Sequence, residues 1–280
     1  MGIVQFTSDR GLPPQRLAPL IEAAGFASYF VPEHGHIPTR RDAAHPGTGT
    51  AELPDDRYLR TLDPWTTLAA AAAVTERIEL ATAVALPVQA DPITLAKTIA
   101  TVDHLSGGRV TLGVGFGWNL DELSDHGVPA GRRRTMLREY LESMRALWRD
   151  EEAQYQGEFV SFGPSWAWPK PPGAVPDLVG AGGTDKNFTW IAKNADGWIT
   201  TPQDRGITDA ARRFAEIWRE HGRDGAPRIV ALDGRPDRDR LARWGAAGVT
   251  DVLYPAVDSD EVAAAEHLRR VADAVALERV

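Results

Sequence analysis

The sequence predicts an α/β fold in which a parallel sheet closes into a (β/α)8 TIM barrel. Short apolar runs alternate with segments of helical periodicity, and eight strand–helix units follow one another without a break in composition. A doubly wound open sheet is the alternative, but its first unit would usually carry a nucleotide-binding glycine fingerprint, which is missing here. Because α/β barrels commonly use about 250 residues as one domain, we expect a single domain over residues 1–280.

The first four units are predicted from apolar runs and from helix start and stop signals. Strands are predicted at 3–6, 28–31, 78–84 and 110–114. Gly25 ends the first helix, and Pro64 begins a second helix that reaches residue 75. A third helix covers 92–105, and an apolar stripe from Leu137 to Trp148 marks the fourth. A long loop at 32–63, rich in Pro, Gly, His and Asp, follows the second strand.

The last four units begin after an insertion. A small hairpin is predicted at 155–160, and a proline-rich linker at 164–176 leads to the fifth strand at 177–179. The remaining strands are predicted at 197–200, 228–232 and 251–254. Helices are predicted around 188–192, at 210–221, after Pro236 and at 262–275.

Composition excludes several classes of function. The formal charge of −8 argues against nucleic acid or an anionic membrane as the main partner. The chain contains no cysteine, which excludes disulfides, thiolate metal sites and a cysteine nucleophile. No signal segment or membrane-length apolar stretch is recognisable, so we expect a cytoplasmic protein.

In a barrel of this kind the active site lies at the carboxyl ends of the strands. His34 follows the second strand and is suited to donating a proton or a hydrogen bond, although a loop histidine satisfied by Glu33 is the simpler interpretation. His36 and His45 lie in the same loop. A metal site made of two histidines and either Glu33 or Asp42 is therefore an alternative. Their spacing matches no helical metal motif, and we predict no metal.

Glycines cluster after the fourth and fifth strands. The stretch GVGFGW at 113–118 is not a Rossmann fingerprint, because its sixth position is Trp118 and residues 119–125 are a poor helix start. Its glycines either allow a flat ligand to lie against the backbone or allow tight packing inside the barrel. The glycines between Gly180 and Gly183 follow a strand and precede a helix, which makes them the better candidates for phosphate binding.

Three consecutive arginines, at 132–134, stand at the predicted start of the fourth helix, where the helix dipole disfavours positive charge. Either nearby carboxylates or an anionic ligand must neutralise them. We favour the carboxylates of Asp121, Glu122 and Asp125.

Several segments together resemble the luciferase-like flavin and deazaflavin oxidoreductases, and within them the branch that depends on coenzyme F420. The main segment is IELATAVALPVQADPITLAKTIATVDHLSGGRVTLGVGFGWNLDEL. Supporting segments are EAAGFASYFVPEHGHIP, RRRTMLREYLESMRALWRDEEAQYQGEFVSF, and PKPPG followed by LVGAGG and ADGWI. The resemblance covers residues 13–201, so the last two units are predicted from pattern alone.

The resemblance implies roles for residues at the barrel mouth. Ala83 and Val84 would form a bulge behind the central ring of the cofactor, often with a non-prolyl cis peptide. Glu33 and His34 would face the ring and are the catalytic candidates.

Two further segments would bind the cofactor. Phe116, Gly117 and Trp118 would lie along it, and Trp118 stands where sugar-phosphate dehydrogenases of the family place an acidic residue, which argues against their substrate. The phosphate loop would comprise Gly180, Ala181, Gly182 and Gly183.

The function implied is an F420-dependent oxidoreductase that transfers hydride between the deazaflavin and a small organic substrate. The alternatives are an FMN-dependent monooxygenase of the same fold and a protein that binds the deazaflavin without catalysis. The expected partner is a small molecule, with no nucleic acid and no membrane, and a homodimer remains an open alternative.

Overall fold

The computed structural model describes residues 1–201, 206–257 and 260–277. The barrel strands are β1 Gly2–Val4, β2 Ser28–Val31, β3 Glu79–Thr82, β4 Val110–Gly115, β7 Asp177–Gly180, β8 Gly197–Ile199, β9 Arg228–Leu232 and β10 Asp251–Pro255. These eight parallel strands close into a barrel in the order β1-β10-β9-β8-β7-β4-β3-β2. The predicted (β/α)8 TIM barrel is therefore confirmed, including the last two units.

Helices follow the strands and cover the outside of the barrel. They are α1 Pro14–Ala23, α2 Pro64–Ala72, α3 Pro92–Ser106, α4 Leu120–Asp125, α5 Arg133–Arg149, α6 Asp185–Asn194, α7 Ile207–Glu220, α8 Arg238–Ala246 and α9 Glu261–Ala274. Side-chain caps begin several of them. The Asp63 carboxylate accepts a hydrogen bond from the Thr66 amide at α2, and Asp91 accepts one from the Thr94 amide at α3. None of the helices in the described parts of the chain combines the length and apolar character needed to cross a membrane.

Two apolar cores hold the fold together. The larger one lies between the sheet and the helices. The smaller one fills the inside of the barrel, where each fully buried aliphatic or aromatic side chain contributes about 1.5–3 kcal/mol. Its buried members are Phe30, Ala81, Leu178, Ile199, Val230 and Leu253.

The amino end of the barrel is closed by an ion-paired cluster. Arg228, at the start of β9, donates to Glu79 of β3 at 2.6 Å and to Asp251 of β10 at 3.0 Å. These hydrogen bonds raise the pKa of Arg228 well above its ordinary value. The charges of this cluster neutralise one another, so we assign it a structural role and look for the functional site at the opposite, carboxyl end of the barrel.

Three local predictions need correction. The stretch 119–125 is predicted to be a poor helix start, but residues 120–125 form α4, because the Asn119 side chain accepts a hydrogen bond from the Glu122 amide and caps the helix. β3 ends at Thr82 rather than at 84. The hairpin predicted at 155–160 extends beyond both of these limits, with β5 Ala153–Gln156 and β6 Ser161–Ser165 as its strands.

Candidate functional site

The carboxyl end of the barrel has an apolar floor that is not fully covered. Val4, Ala83, Val84 and Leu232 pack against the interior core, yet each is only half-buried. Side chains at the ends of barrel strands are normally covered by the βα loops unless a ligand site lies there. The floor is thus a surface on which a flat apolar group can rest.

Val84 of this floor lies between Gly115 of β4 and Gly180 of β7. The Ala83–Val84 peptide is cis, at the position implied by the resemblance. A Cβ on Gly115 would lie 2.6 Å from one methyl of Val84, and a Cβ on Gly180 would lie 2.5 Å from the other. Both glycines are therefore needed so that Val84 can sit between β4 and β7.

The space around a hypothetical Cβ also shows why glycines stand at 113, 115 and 117. A Cβ on Gly113 would lie 1.8 Å from the carbonyl oxygen of Thr82, so Gly113 and Gly115 accommodate the end of β3. Gly117 has a φ of +74°, which favours glycine for a different reason. For Gly113 and Gly115 the structure supports the packing interpretation rather than a direct contact with a ligand.

His34 is held by a carboxylate from another element. Its Nδ1 lies 2.9 Å from Oε2 of Glu122 on α4, and the two side chains are only 7% and 1% exposed. In the hydrogen-bond network a neutral imidazole at this position donates its Nδ1–H to the carboxylate. The second nitrogen, Nε2, is then the one presented as acceptor.

Glu33 is a half-buried carboxyl whose charge is poorly solvated. Burial raises its pKa to about 7, and the negative charges of Asp63 and Glu122 add to the rise. The Leu86 amide donates to Oε2 of Glu33 at 2.6 Å and opposes the shift. Glu33 therefore changes protonation state near neutral pH, as a proton-transfer group must.

Aromatic side chains form a wall beside His34. The ring of Trp118 lies 5.9 Å from the ring of His34, and that of Tyr58 lies 5.6 Å from it. His45 completes the wall, with its ring 4.9 Å from Trp118 and its Nε2 3.0 Å from the Tyr58 hydroxyl. Two of these residues come from the long loop, which therefore contributes directly to the mouth.

The loop between β7 and α6 lies on the other side of the mouth. A Cβ on Gly182 would meet no atom within 4 Å, and Gly182 has no positive φ, so this residue borders open space. Thr184 caps α6 by accepting a hydrogen bond from the Asn187 amide. Ala181 is buried, and its carbonyl accepts a hydrogen bond from the Trp198 indole at 2.7 Å. The first turn of α6 and Gly182 together could receive an anion.

Phe116 faces away from the mouth. Its ring packs edge-on against Trp190 of α6, with centroids 5.0 Å apart, and the guanidinium of Arg134 lies 4.0 Å over its face. Arg134 also donates to Asn187 Oδ1 at 2.6 Å, and Asn187 donates to the Gly182 carbonyl at 2.7 Å. Any contact of Phe116 with a ligand would thus come from its main chain.

The predicted neutralisation of the arginine run by the carboxylates of α4 is wrong. Arg132 pairs with Glu158, and Arg133 donates to the Ala130 carbonyl. Arg134, in the part of the chain that the structure describes, has no carboxylate within ion-pair distance. Its pKa is lowered by burial and by the charge of Arg133.

The α4 carboxylates instead hold the long loop. Asp121 Oδ2 accepts hydrogen bonds from the amides of Asp42 and Ala43, at 2.9 and 3.0 Å. Asp125 lies 2.9 Å from Nε2 of His36. His36 and His45 thus have different partners, and no group of three metal-ligating side chains comes together within the described ranges.

The structure brings most of the predicted residues to one mouth and adds one that was missed. Glu33, His34, Ala83, Val84 and the glycine loop all border the carboxyl end of the barrel. Glu122 was considered only as a partner for arginines. The spacing of Asn119 and Glu122, a cap followed three residues later by an acid, was the signal for the helix that carries it.

Known proteins share much of this sequence and this fold. The sequence profile of the luciferase-like monooxygenase family matches residues 14–235. An uncharacterized protein of Mycobacterium tuberculosis is 65% identical over 272 residues, which cover 97% of this chain and 96% of the relative.

Two solved structures share the fold. The monooxygenase RslO1 from Streptomyces bottropensis has a TM-score of 0.73 at 19% identity, covering 98% of both chains. An F420-dependent secondary alcohol dehydrogenase, solved in complex with an F420–acetone adduct, has a TM-score of 0.72 at 18% identity and covers 98% of this chain and 99% of its own. Together with the profile match over most of its length, these findings show that the chain belongs to the luciferase-like monooxygenase family, whose members are oxidoreductases and monooxygenases.

Proposed function

We propose that this protein is a coenzyme F420-dependent oxidoreductase acting on a small organic substrate. The observation that carries the proposal is the pairing, at one barrel mouth, of an open apolar floor with the buried His34–Glu122 pair. When bound, the deazaflavin would accept or donate hydride at its C5 position. The protein's part is to position the two reactants and to manage the accompanying proton.

The residues at the mouth fit a flat ring that carries a phosphate at one end. Ala83 and Val84 would support the ring from behind, with Gly117 and Trp118 along its edge. Gly182 and the first turn of α6 offer open space and amide donors for a phosphate. Arg134 stands behind this loop without an acidic partner in the described ranges, whereas Glu33 and Glu122 lie near β2 and α4. This difference in charge favours an anionic tail directed toward α6.

His34 would transfer or hold the substrate proton at Nε2. Glu122 fixes the ring orientation by accepting from Nδ1, and it stabilises positive charge on the imidazole when Nε2 takes up a proton. Because both side chains are almost completely buried, water competes little for this hydrogen bond. Glu33 lies next to His34 in sequence and is the second candidate for proton transfer.

An FMN-dependent monooxygenase is the second candidate. The family profile and the structure of RslO1 favour it, since both are described as monooxygenases. A binding protein without catalysis is less well supported. Burial of an ionisable pair such as His34 and Glu122 costs free energy, and a protein that only carries the cofactor would gain no catalysis in return.

A titration decides between the cofactors. We expect purified protein to bind F420 more tightly than FMN, with a Gly182→Asp variant binding either one at least about tenfold more weakly, because a carboxylate would repel the phosphate. Gly173→Asp is the matched control, since a Cβ there also meets no atom within 4 Å. Tighter binding of FMN, with oxygen-dependent turnover, would favour the monooxygenase. Equal affinity of wild type and Gly182→Asp would remove this loop from the site.

A further inference from the structure

The surroundings of His34 differ in character from the glycine-loop side of the mouth. We propose that the site takes an uncharged, planar organic substrate, which lies against the wall of Trp118, Tyr58 and His45 and hydrogen-bonds to His34. This inference rests on the proposed function, because it places the substrate on the side of the mouth opposite the phosphate loop.

The wall itself carries no charge near neutral pH. Burial lowers the pKa of His45 and raises the pKa of Tyr58, so that the imidazole and the phenol are both neutral. The two are joined by the 3.0 Å hydrogen bond between them, which satisfies their polar atoms. Tyr58 and Trp118 are half-buried and present aromatic surface, whereas His45 is buried against both of their rings. Such surface attracts planar groups by stacking and edge contacts.

The charges nearest to the wall disfavour an anion. Glu33 and Glu122 are carboxyl groups on the same side as His34, and Asp63 adds negative charge close to Glu33. An anionic substrate would lie within a few ångströms of these groups in a poorly solvated site.

The two arginines of the long loop whose charges act on His45 and Tyr58 are engaged with other partners. Arg57 is paired with Asp55, at 2.6 Å. Arg41 donates to the main-chain carbonyls of Pro38 and Ala51. Phosphorylated and carboxylated substrates are commonly recognised by such side chains, and these two are engaged elsewhere.

A cationic substrate is disfavoured for a different reason. The Leu86 amide occupies Oε2 of Glu33, and His34 occupies Oε2 of Glu122. The second oxygen of Glu122, Oε1, has no hydrogen-bond partner among the described residues, but it is buried away from solvent. A cation would have to give up its hydration for carboxyl oxygens that are occupied or out of its reach.

Three aromatic aldehydes, one neutral, one anionic and one cationic, test the inference: benzaldehyde, 4-formylbenzoate and 4-(trimethylammonio)benzaldehyde. Their binding is measured by calorimetry, on protein loaded with F420 or FMN and on cofactor-free protein. We expect benzaldehyde to bind at least about tenfold more tightly than either charged probe. Tyr58→Leu should weaken benzaldehyde binding by about 2- to 10-fold. Trp166→Leu, at a ring that is 76% exposed on the hairpin, should leave it unchanged.

Glu33→Gln provides the charge control, because the amide keeps the shape of the carboxyl group. At about pH 8, where Glu33 is ionised, this variant should reduce the difference between the neutral and anionic probes several-fold. Equal or tighter binding of either charged probe by the wild type would overturn the inference. Failure of both F420 and FMN to bind would refute the proposed function instead, and the ranking of the probes on cofactor-free protein would still decide the substrate class.

Discussion

Replacing Glu122 by glutamine should slow turnover by about 10- to 150-fold while the protein stays folded. The amide can still accept the hydrogen bond from Nδ1 of His34 through its oxygen, but it carries no charge. A buried hydrogen bond to a charged group contributes about 1.5–3 kcal/mol, which corresponds to about 10- to 150-fold in rate if it acts only when His34 is protonated. The 2.9 Å distance and the 7% and 1% exposure of the two side chains place this pair among the well-shielded cases.

Asp125→Asn is the matched control. Asp125 lies on the same helix and also pairs with a histidine of the loop at 2.9 Å, but its side chain is 56% exposed and that of His36 is 42% exposed. Exposed ion pairs contribute about 1 kcal/mol or less, so the rate should change by no more than a few-fold.

The assay is the pre-steady-state rate of cofactor oxidation or reduction, measured with the substrate that gives turnover and repeated across pH. Loss of the Glu122 charge should lower kcat and shift the pH profile, whereas KM should change little. A Glu122→Gln enzyme with the wild-type rate at every pH would refute the assignment of Glu122 as a positioning residue. Equal losses in Glu122→Gln and Asp125→Asn would point to disturbance of α4 instead.

Three other predictions concern the same mouth. His34→Ala should lower turnover by roughly 10²-fold or more, and His34→Gln should recover part of that loss only if a hydrogen bond rather than proton transfer is required, as steady-state kinetics would reveal. Because the pKa of Glu33 is raised in the folded protein from 4.5 to about 7, wild-type stability should fall as pH rises from about 5 to 7 relative to Glu33→Gln. The difference in unfolding free energy, measured by denaturant titration, should reach at most about 3 kcal/mol and less after solvent screening; an unchanged difference at pH 5 and 8 would refute the shift. Finally, amides of the loop at 35–63 should gain protection from hydrogen exchange when cofactor and substrate bind, and identical exchange with and without ligands would count against a lid.

The repeating pattern of the barrel was predictable because each helix buries one face, which leaves a helical period, whereas each barrel strand is buried on both faces and shows as a short apolar run. The site was predictable only where it follows strand ends, as His34 and the glycine loop do. The partnership of His34 with Glu122 was not, since 88 residues separate the two and they meet only because β2 and β4 lie on either side of β3 in the sheet. The polar stretch after Trp118 resembled a loop, because a helix of six residues is too short to show a period.

The ion-pair partners of the arginine run at 132–134 could not be predicted from the sequence either. Charge counting along the chain paired it with the nearest carboxylates, yet those carboxylates point to backbone amides and histidines of the long loop. Local proximity in sequence said nothing about which face of α4 each side chain would occupy. In the same way, Tyr58 and His45 lie in a segment without periodicity, so nothing in their spacing indicated that both would border the mouth.

The short helix α4 holds both the long loop and His34 in place. Its first turn is fixed by the Asn119 cap, and from it Asp121 grips the main chain of the loop while Glu122 orients His34. The position of the loop and the orientation of His34 therefore depend on the same short helix. We expect a movement that lifts the loop far enough to displace α4 to misalign His34 as well, so that opening of the mouth would switch off proton transfer.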